Sequence, residues 1–210
     1  MIISIQRQSL VEPLKNIVSV SEQHHTMPVL GHVLLEFKDG VCFLTASDLE
    51  VQVSYSYHAG ITDNIRVTVP ARKFADILRS LETEDVTLEI TPKDMVIKSG
   101  KSKFKVYALN PDDFPEIDDD LSESMKIDSE ALLNLVNSTS FSMGYQDARH
   151  FLNGLFIEFS QDTITAVATD GHRLALSVKK CDLASSEKTC IVPRKCINEL
   201  KRILSSFNNI

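Results

Sequence analysis

The chain repeats itself. Set against itself at an offset of 122 residues, Ile5 falls on Ile127, Leu10 on Leu132 and Leu30 on Leu152. Glu36-Phe37 falls on Glu158-Phe159, Ala46 on Ala168 and Asp48 on Asp170, without a gap. With one residue inserted, Val69-Pro70 meets Val192-Pro193, Arg72 meets Lys195 and Arg79 meets Arg202. Identities are sparse, but apolar positions land on apolar positions. Solenoid units repeat every 20–50 residues or so, so a period this long marks a duplicated domain. Whatever the first copy folds into must also suit the second.

The 210 residues are enough for about two domains. Hydrophobic content of 43% and charged content of 24% fit a soluble globular protein. No apolar run approaches the roughly 20 residues that cross a bilayer. The start, Met1 to Arg7, lacks the charged region and apolar stretch of a signal peptide. Cys42, Cys181, Cys190 and Cys196 form no close pair, which predicts reduced thiols rather than a metal site or disulfides. The expectation is a cytoplasmic protein, not bound to a membrane and without a metal or cofactor. A net charge of −7 taken alone argues against a nucleic-acid binder. The charge is uneven, however. Acids crowd Asp112 to Glu123, while bases gather at Arg72-Lys73, Lys98 to Lys105 and Arg194 to Arg202. A nearby polyanion responds to the local field.

Periodicity predicts a strand at Ile2 to Ile5, then a helix with Leu10, Leu14, Ile17 and Val18 on one face. Pro13 should lie in or near its first turn, because an interior proline breaks a helix. Strands follow over 30–37, 41–47, 50–57 and 65–69, with Lys38-Asp39-Gly40 as a tight turn. Phe74, Ile77, Leu78 and Leu81 have helical spacing, and three more strands run to Leu109. Asn110 to Asp120 holds two prolines and five aspartates and reads as a linker. The domains are therefore expected at 1–120 and 121–210. The second copy has a helix capped by Asp128 or Ser129, strands from Phe151, Thr163 and Leu174, and a helix from Arg194. It has no counterpart of the last three strands of the first copy. Each copy is α+β, with two helices on antiparallel sheet.

The most distinctive stretch is Ala166 to Leu176. Apolar flanks enclose Thr169-Asp170-Gly171-His172-Arg173, where Asp-Gly is turn chemistry that displays His172 and Arg173 at a chain reversal.

Several segments together resemble the bacterial DNA polymerase III β sliding clamp family. They are Met27-Pro28-Val29-Leu30-Gly31, Thr45-Ala46-Ser47-Asp48-Leu49-Glu50 and Val69-Pro70-Ala71-Arg72-Lys73-Phe74. Asp112-Asp113-Phe114-Pro115, Phe141-Ser142-Met143 and Leu152-Asn153-Gly154 follow in order, then Thr169 to Ala175 and Val192-Pro193-Arg194-Lys195. Each is weak alone; in register they are specific. The resemblance implies the DNA-clamp fold and a non-catalytic processivity factor without a cofactor. In the family, three such domains per chain form a head-to-tail homodimer ring around double-stranded DNA. The ring tethers the DNA polymerase III catalytic subunit, and also engages the clamp loader and other proteins through short peptide motifs. This chain resembles the first domain and most of the second; the third is absent, so a truncated form that does not close a ring by itself is expected.

The resemblance also implies residue roles. For DNA they are His24, Arg72, Gln146, Arg149, His150, Phe151, Arg194, Lys201 and Arg202, with Arg7, Lys15 and Arg79 as further helix-face cations. Sliding requires weak, multiple contacts with phosphates that do not read sequence. His150 and Phe151 stand where the family has a tyrosine pair. The peptide groove would use Leu152, Thr169, Gly171, His172, Arg173, Leu174 and Leu176. Lys73, Ile77, Lys101 and Lys103 match the first-domain side of the dimer interface. Read without the resemblance, the helix cations are solvated faces, Phe151 is a core anchor and the corner is a plain hairpin end. Asp147, His150, Asp170 and His172 could be drawn as a metal or hydrolase cluster, but no HxH, HExxH or GxSxG frames them. A peptide-binding module that does not enclose DNA is the stronger rival.

Overall fold

The computed structural model describes residues 1–21, 26–117, 125–181 and 187–207. The chain divides into two compact units, Met1–Asp118 and Asp119–Ile210.

In the first unit, β1 (Ile2–Gln6) runs directly into α1 (Arg7–Ile17). A short 3-10 turn at Pro28–Gly31 leads to β2 (His32–Lys38), β3 (Val41–Ser47), β4 (Gln52–His58) and β5 (Ile65–Pro70). Then come α2 (Ala71–Ser80), β6 (Asp85–Ile90), β7 (Asp94–Ser99) and β8 (Ser102–Tyr107). The strands form two antiparallel four-stranded sheets, ordered β1-β6-β7-β8 and β4-β3-β2-β5. The alternation that marked these strands is the alternation of burial. Cys42, Leu44 and Ala46 are fully buried along β3, and Val86, Leu88 and Ile90 are buried along β6. Helix α2 buries Ala71, Phe74, Ala75, Ile77 and Leu78. Full burial of each large side chain contributes about 1.5–3 kcal/mol, so this face, rather than helix propensity, holds α2 in place.

Two expectations for this unit need correcting. Pro13 does not sit in the first turn. It is the seventh residue of α1 and is itself buried. The helix gives up the backbone bond that an N–H at position 13 would make. Burial of Leu10, Leu14 and Ile17 on the same face offsets that loss. Nor is the start of the acidic segment a bare linker. Residues 110–117 form a strap bound to the first unit. Thr68 Oγ1 donates to the carbonyl of Leu109 at 2.8 Å and accepts its N–H at 3.1 Å. Asn110 caps a 3-10 turn at Pro111–Asp113. Phe114 is 4% exposed and buried with Val29 and Leu34. The Ile117 N–H donates to Gln52 Oε1 at 2.9 Å, and Arg66 pairs with Asp112 and Glu116. Composition pointed to a linker because one aromatic among aspartates carries no periodicity.

In the second unit, α3 (Ser129–Thr139) precedes β9 (Gly154–Phe159), β10 (Thr163–Thr169), β11 (Leu174–Lys180), β12 (Lys188–Pro193) and α4 (Arg194–Phe207). Asp128 caps α3, its Oδ1 accepting the Ala131 N–H at 2.7 Å. The sheet is ordered β11-β10-β9-β12, the same order as β4-β3-β2-β5. Register repeats as well: Leu34 faces Thr45, and Phe156 faces Val167. The core comprises Leu135, Val136, Met143, Leu155, Ile157, Ile164, Ala166, Ala168 and Ile197. Among the described residues this unit has no strands corresponding to β6–β8. Phe151 does not begin a strand; it lies in a 3-10 turn at His150–Asn153, and β9 starts at Gly154. Gly154 is required there, because a β-carbon would stand 2.7 Å from Ile191 Cγ2.

Candidate functional site

The corner between β10 and β11 is built by two side chains. Asp170 Oδ1 accepts the N–H groups of His172 and Arg173 at 2.9 and 3.0 Å, and its Oδ2 accepts Arg173 Nε at 2.9 Å. Thr169 Oγ1 accepts the Gly171 N–H at 3.1 Å and donates to the Arg173 carbonyl at 2.7 Å. Gly171 takes φ +87°, a conformation open to glycine. The two backbone N–H donors, with Arg173 behind them, hold the Asp170 carboxyl down at about 2. The first unit repeats this corner. Asp48 Oδ1 accepts the N–H groups of Glu50 and Val51, and Ser47 Oγ accepts that of Leu49. There a leucine, Leu49, occupies the left-handed position at φ +76°.

A second loop meets this corner. Arg149 grips Asp147 through Nε and Nη2, both at 3.0 Å, and through its own N–H at 2.8 Å. These bonds hold the Asp147 carboxyl at about 2. Asn153 braces Asp147 from the other side, accepting its N–H and donating to its carbonyl. The Arg149 guanidinium then lies against Gly171: a β-carbon on Gly171 would be 3.1 Å from Nη2. Arg173 donates to the Phe141 carbonyl at 2.7 Å, and its guanidinium lies 5.8 Å from the Phe141 ring centre. The result is a braced polar corner beside two apolar side chains left open. Leu174 is 64% and Leu176 59% exposed, while Leu152 is buried at 7%.

All seven residues expected for the peptide groove fall at this corner or in the loop that meets it. Those expected for DNA divide into two groups. Arg194 donates to the Met143 and Gly144 carbonyls at 2.6 and 2.9 Å and lies over Tyr145. Lys201 donates to Ser140 Oγ at 3.2 Å, and Arg202 pairs with Glu199. Arg7 donates to the carbonyls of Thr83 and Leu78. These side chains fasten the fold. Lys15, Arg72 and Arg79 are exposed on α1 and α2, and Arg79 also bonds Asp76 at 3.4 Å. Gln146 is exposed at φ +54°, and His150 is exposed in the same loop. Phe151 is 61% exposed, so it is not the core anchor of the alternative reading. His24 lies outside the described residues. Of the residues expected at a chain–chain interface, Lys73, Lys101 and Lys103 are exposed and Ile77 is buried. Sequence reading drew Asp147 only into a metal or hydrolase cluster that it set aside, and gave Asn153, Phe141 and Tyr145 no functional role. Only the Asp147-x-Arg149 spacing, which suits a carboxylate bonding the N–H two residues on, could have flagged the first. Among the described residues, no group of three or more His, Cys, Asp or Glu side chains could hold a metal ion. Asp147 and Asp170 are each bound to their own arginine.

A duplicated α+β unit with helices over antiparallel sheet, carrying this corner in both copies, defines the DNA-clamp class of fold. The beta subunit of DNA polymerase III from Pseudomonas aeruginosa superposes with a TM-score of 0.93 at 35% identity, covering 99% of this chain and 58% of that one. A DNA polymerase sliding clamp from Caulobacter crescentus gives 0.90 at 32% identity, covering 98% and 58%. The beta sliding clamp of Salmonella typhimurium is 36% identical over 214 residues, 98% of this chain and 57% of its own length. Residues 1–118 match the N-terminal domain of the DNA polymerase III beta subunit and residues 126–210 its central domain. The chain belongs to the DNA polymerase III beta subunit family. It spans a little over half the length of the relatives it matches.

Proposed function

We propose that this chain provides the first two domains of a DNA sliding clamp. In that role it is part of a non-catalytic processivity factor whose complete ring surrounds duplex DNA in the cytoplasm and tethers a replicative polymerase. The observation that carries this reading is the open apolar pair, Leu174 and Leu176, beside a corner locked by Asp170 and faced by Arg149. Such a surface suits a short extended peptide. Apolar side chains would dock on the leucines beside the corner that Arg149 closes over Gly171. Peptide motifs of the polymerase catalytic subunit, the clamp loader and other clamp-binding proteins are the proposed occupants. A DNA polymerase III subunit beta from P. aeruginosa has been solved bound to griselimycin, covered to 57% by this chain at 36% identity. Exposed Lys15, Arg72 and Arg79, with Arg149, supply the cations for phosphates, and His150 a further polar contact. Lys73, Lys101 and Lys103 are the proposed first-domain side of a homodimer ring, and Ile77 supports that surface from beneath.

A second reading is a peptide-binding module that does not engage DNA. The internal commitment of Arg7, Arg194 and Lys201 favours it. Fluorescence anisotropy with a labelled DNA duplex at two salt concentrations separates the readings. The clamp reading expects binding that weakens steeply with salt and weakens further in Arg72→Glu. Salt-independent binding, or none, favours the module.

A further inference from the structure

A cavity of about 570 Å³ lies in the first unit, and none of its lining residues belongs to α1, α2 or the β10–β11 corner. It follows from how the strap leaves the sheet. β5 is an edge strand, joined on its outer side by the bridge from Thr68 to Leu109. Beyond that bridge the chain turns away at Pro111–Asp113. The gap is closed from the far side by the turn between β6 and β7, where Thr91 bonds Asp94 and the Lys93 carbonyl accepts the Ala108 N–H at 2.9 Å. Val67 and Ile90 form the floor, 2% and 6% exposed, while Ile65 is half-buried and Leu109 is 37% exposed. A hollow of this size with apolar walls falls within the roughly 300–1,000 Å³ range of small-molecule sites. Among the described residues the second unit has no counterpart of β6–β8, so the cavity belongs to the first unit alone.

The charges at the mouth of the cavity are not all matched. Arg66 pairs with Asp112 and Glu116, and the Met1 amino group donates to the Ile90 carbonyl at 2.7 Å. Lys93 is exposed and makes no ion pair among the described residues, while the adjacent acid, Asp94, is bound by Lys105 at 2.6 Å. One cation is therefore uncommitted beside an apolar hollow, and the two carboxylates at Arg66 oppose a second negative charge on any occupant. We propose that this cavity binds a small monocarboxylate with an apolar body. The body lies between Ile65, Val67, Ile90 and Leu109, and the carboxylate meets the Lys93 ammonium. A neutral apolar molecule would leave Lys93 without a partner, and a cation would meet it with like charge. The site is separate from the peptide corner and does not depend on the DNA-clamp role.

The test is a titration of the isotopically labelled whole chain with decanoate and with 1-decanol, followed by amide chemical shifts at probe concentrations below those that form micelles. Decanoate should give saturable shifts at Val67, Ile90, Thr91, Lys93 and Asn110. Decanol should move the same amides with about threefold to fivefold weaker affinity, the worth of one exposed charge pair. Lys93→Gln should weaken decanoate by the same factor and leave decanol unchanged; that side chain is exposed, so the fold should survive. Leu109→Trp, which fills the cavity, should remove the binding of both. Absence of saturation, equal affinity for the two probes, or decanoate binding indifferent to Lys93→Gln overturns the proposal. So do shifts centred on Leu174 and Leu176, which would mean that the probe takes the peptide corner instead.

Discussion

Gly171→Ala gives the most informative single perturbation, because the structure separates its two costs. The first is backbone strain. Gly171 has φ +87°, and an L-residue in the left-handed region costs about 1–2 kcal/mol. The second is contact. The new methyl would stand 3.1 Å from Arg149 Nη2 and 3.6 Å from Nη1. A guanidinium at the end of a flexible side chain can shift, but this one is held to Asp147 by two 3.0 Å bonds. Releasing one charge-assisted bond adds about 1 kcal/mol at an exposed site. Gly60→Ala isolates the first cost: Gly60 has φ +69°, with nothing within 4 Å of its would-be β-carbon. Urea unfolding should show each variant destabilised by about 1–2 kcal/mol, with Gly171→Ala the larger by up to about 1. Only Gly171→Ala should weaken a clamp-binding peptide, by about tenfold, since 1.4 kcal/mol is a factor of ten. A Gly171→Ala protein destabilised no more than Gly60→Ala would refute the contact between Arg149 and the corner.

Other consequences follow from the same geometry. Asp170 is held at about 2 in the folded chain against about 3.9 when unfolded, so its contribution is complete above pH ~4 and is lost as pH falls toward 2. NMR titration should show the His172 and Arg173 amides shifting together in that window, and shifts centred near 4 would contradict the bonds. Phe114→Ala should cost about 3 kcal/mol by chemical denaturation and leave Leu34 exposed, as large-to-small changes at buried aromatics do. Asp128→Ala should lower stability by about 1 kcal/mol through loss of the α3 cap, with Asp128→Asn recovering most of it. Burial pushes the Cys42 thiol up to about 12, so among the four cysteines it should react last with a thiol reagent at neutral pH, after the exposed Cys190.

The fold was legible wherever a face is buried. Periodicities of Phe74, Ile77 and Leu78, and of Leu132, Leu135 and Val136, correspond to faces turned to a core. The repeat then tied the halves together, including the corner at Asp48 and Asp170. Three kinds of feature were not legible. Pro13 shows that tertiary burial can override a local helix breaker. Phe114 shows that a lone aromatic in an acidic stretch can anchor a segment whose composition says linker. The cations show a limit of charge patterning. Arg72 and Arg194 occupy neighbouring places in matching motifs. One projects into solvent, while the other binds the Met143 and Gly144 carbonyls, and only the folded loop 143–145 distinguishes them.

The most direct test of the central claim is residue-resolved mapping of a clamp-binding peptide on the isotopically labelled chain. Saturating chemical-shift changes are predicted for the amides of Gly171, His172, Arg173 and Leu174, extending to Arg149 and Leu152. Changes centred on β8, or none at a peptide concentration that saturates a full-length clamp, would contradict the assignment of this corner as the partner site.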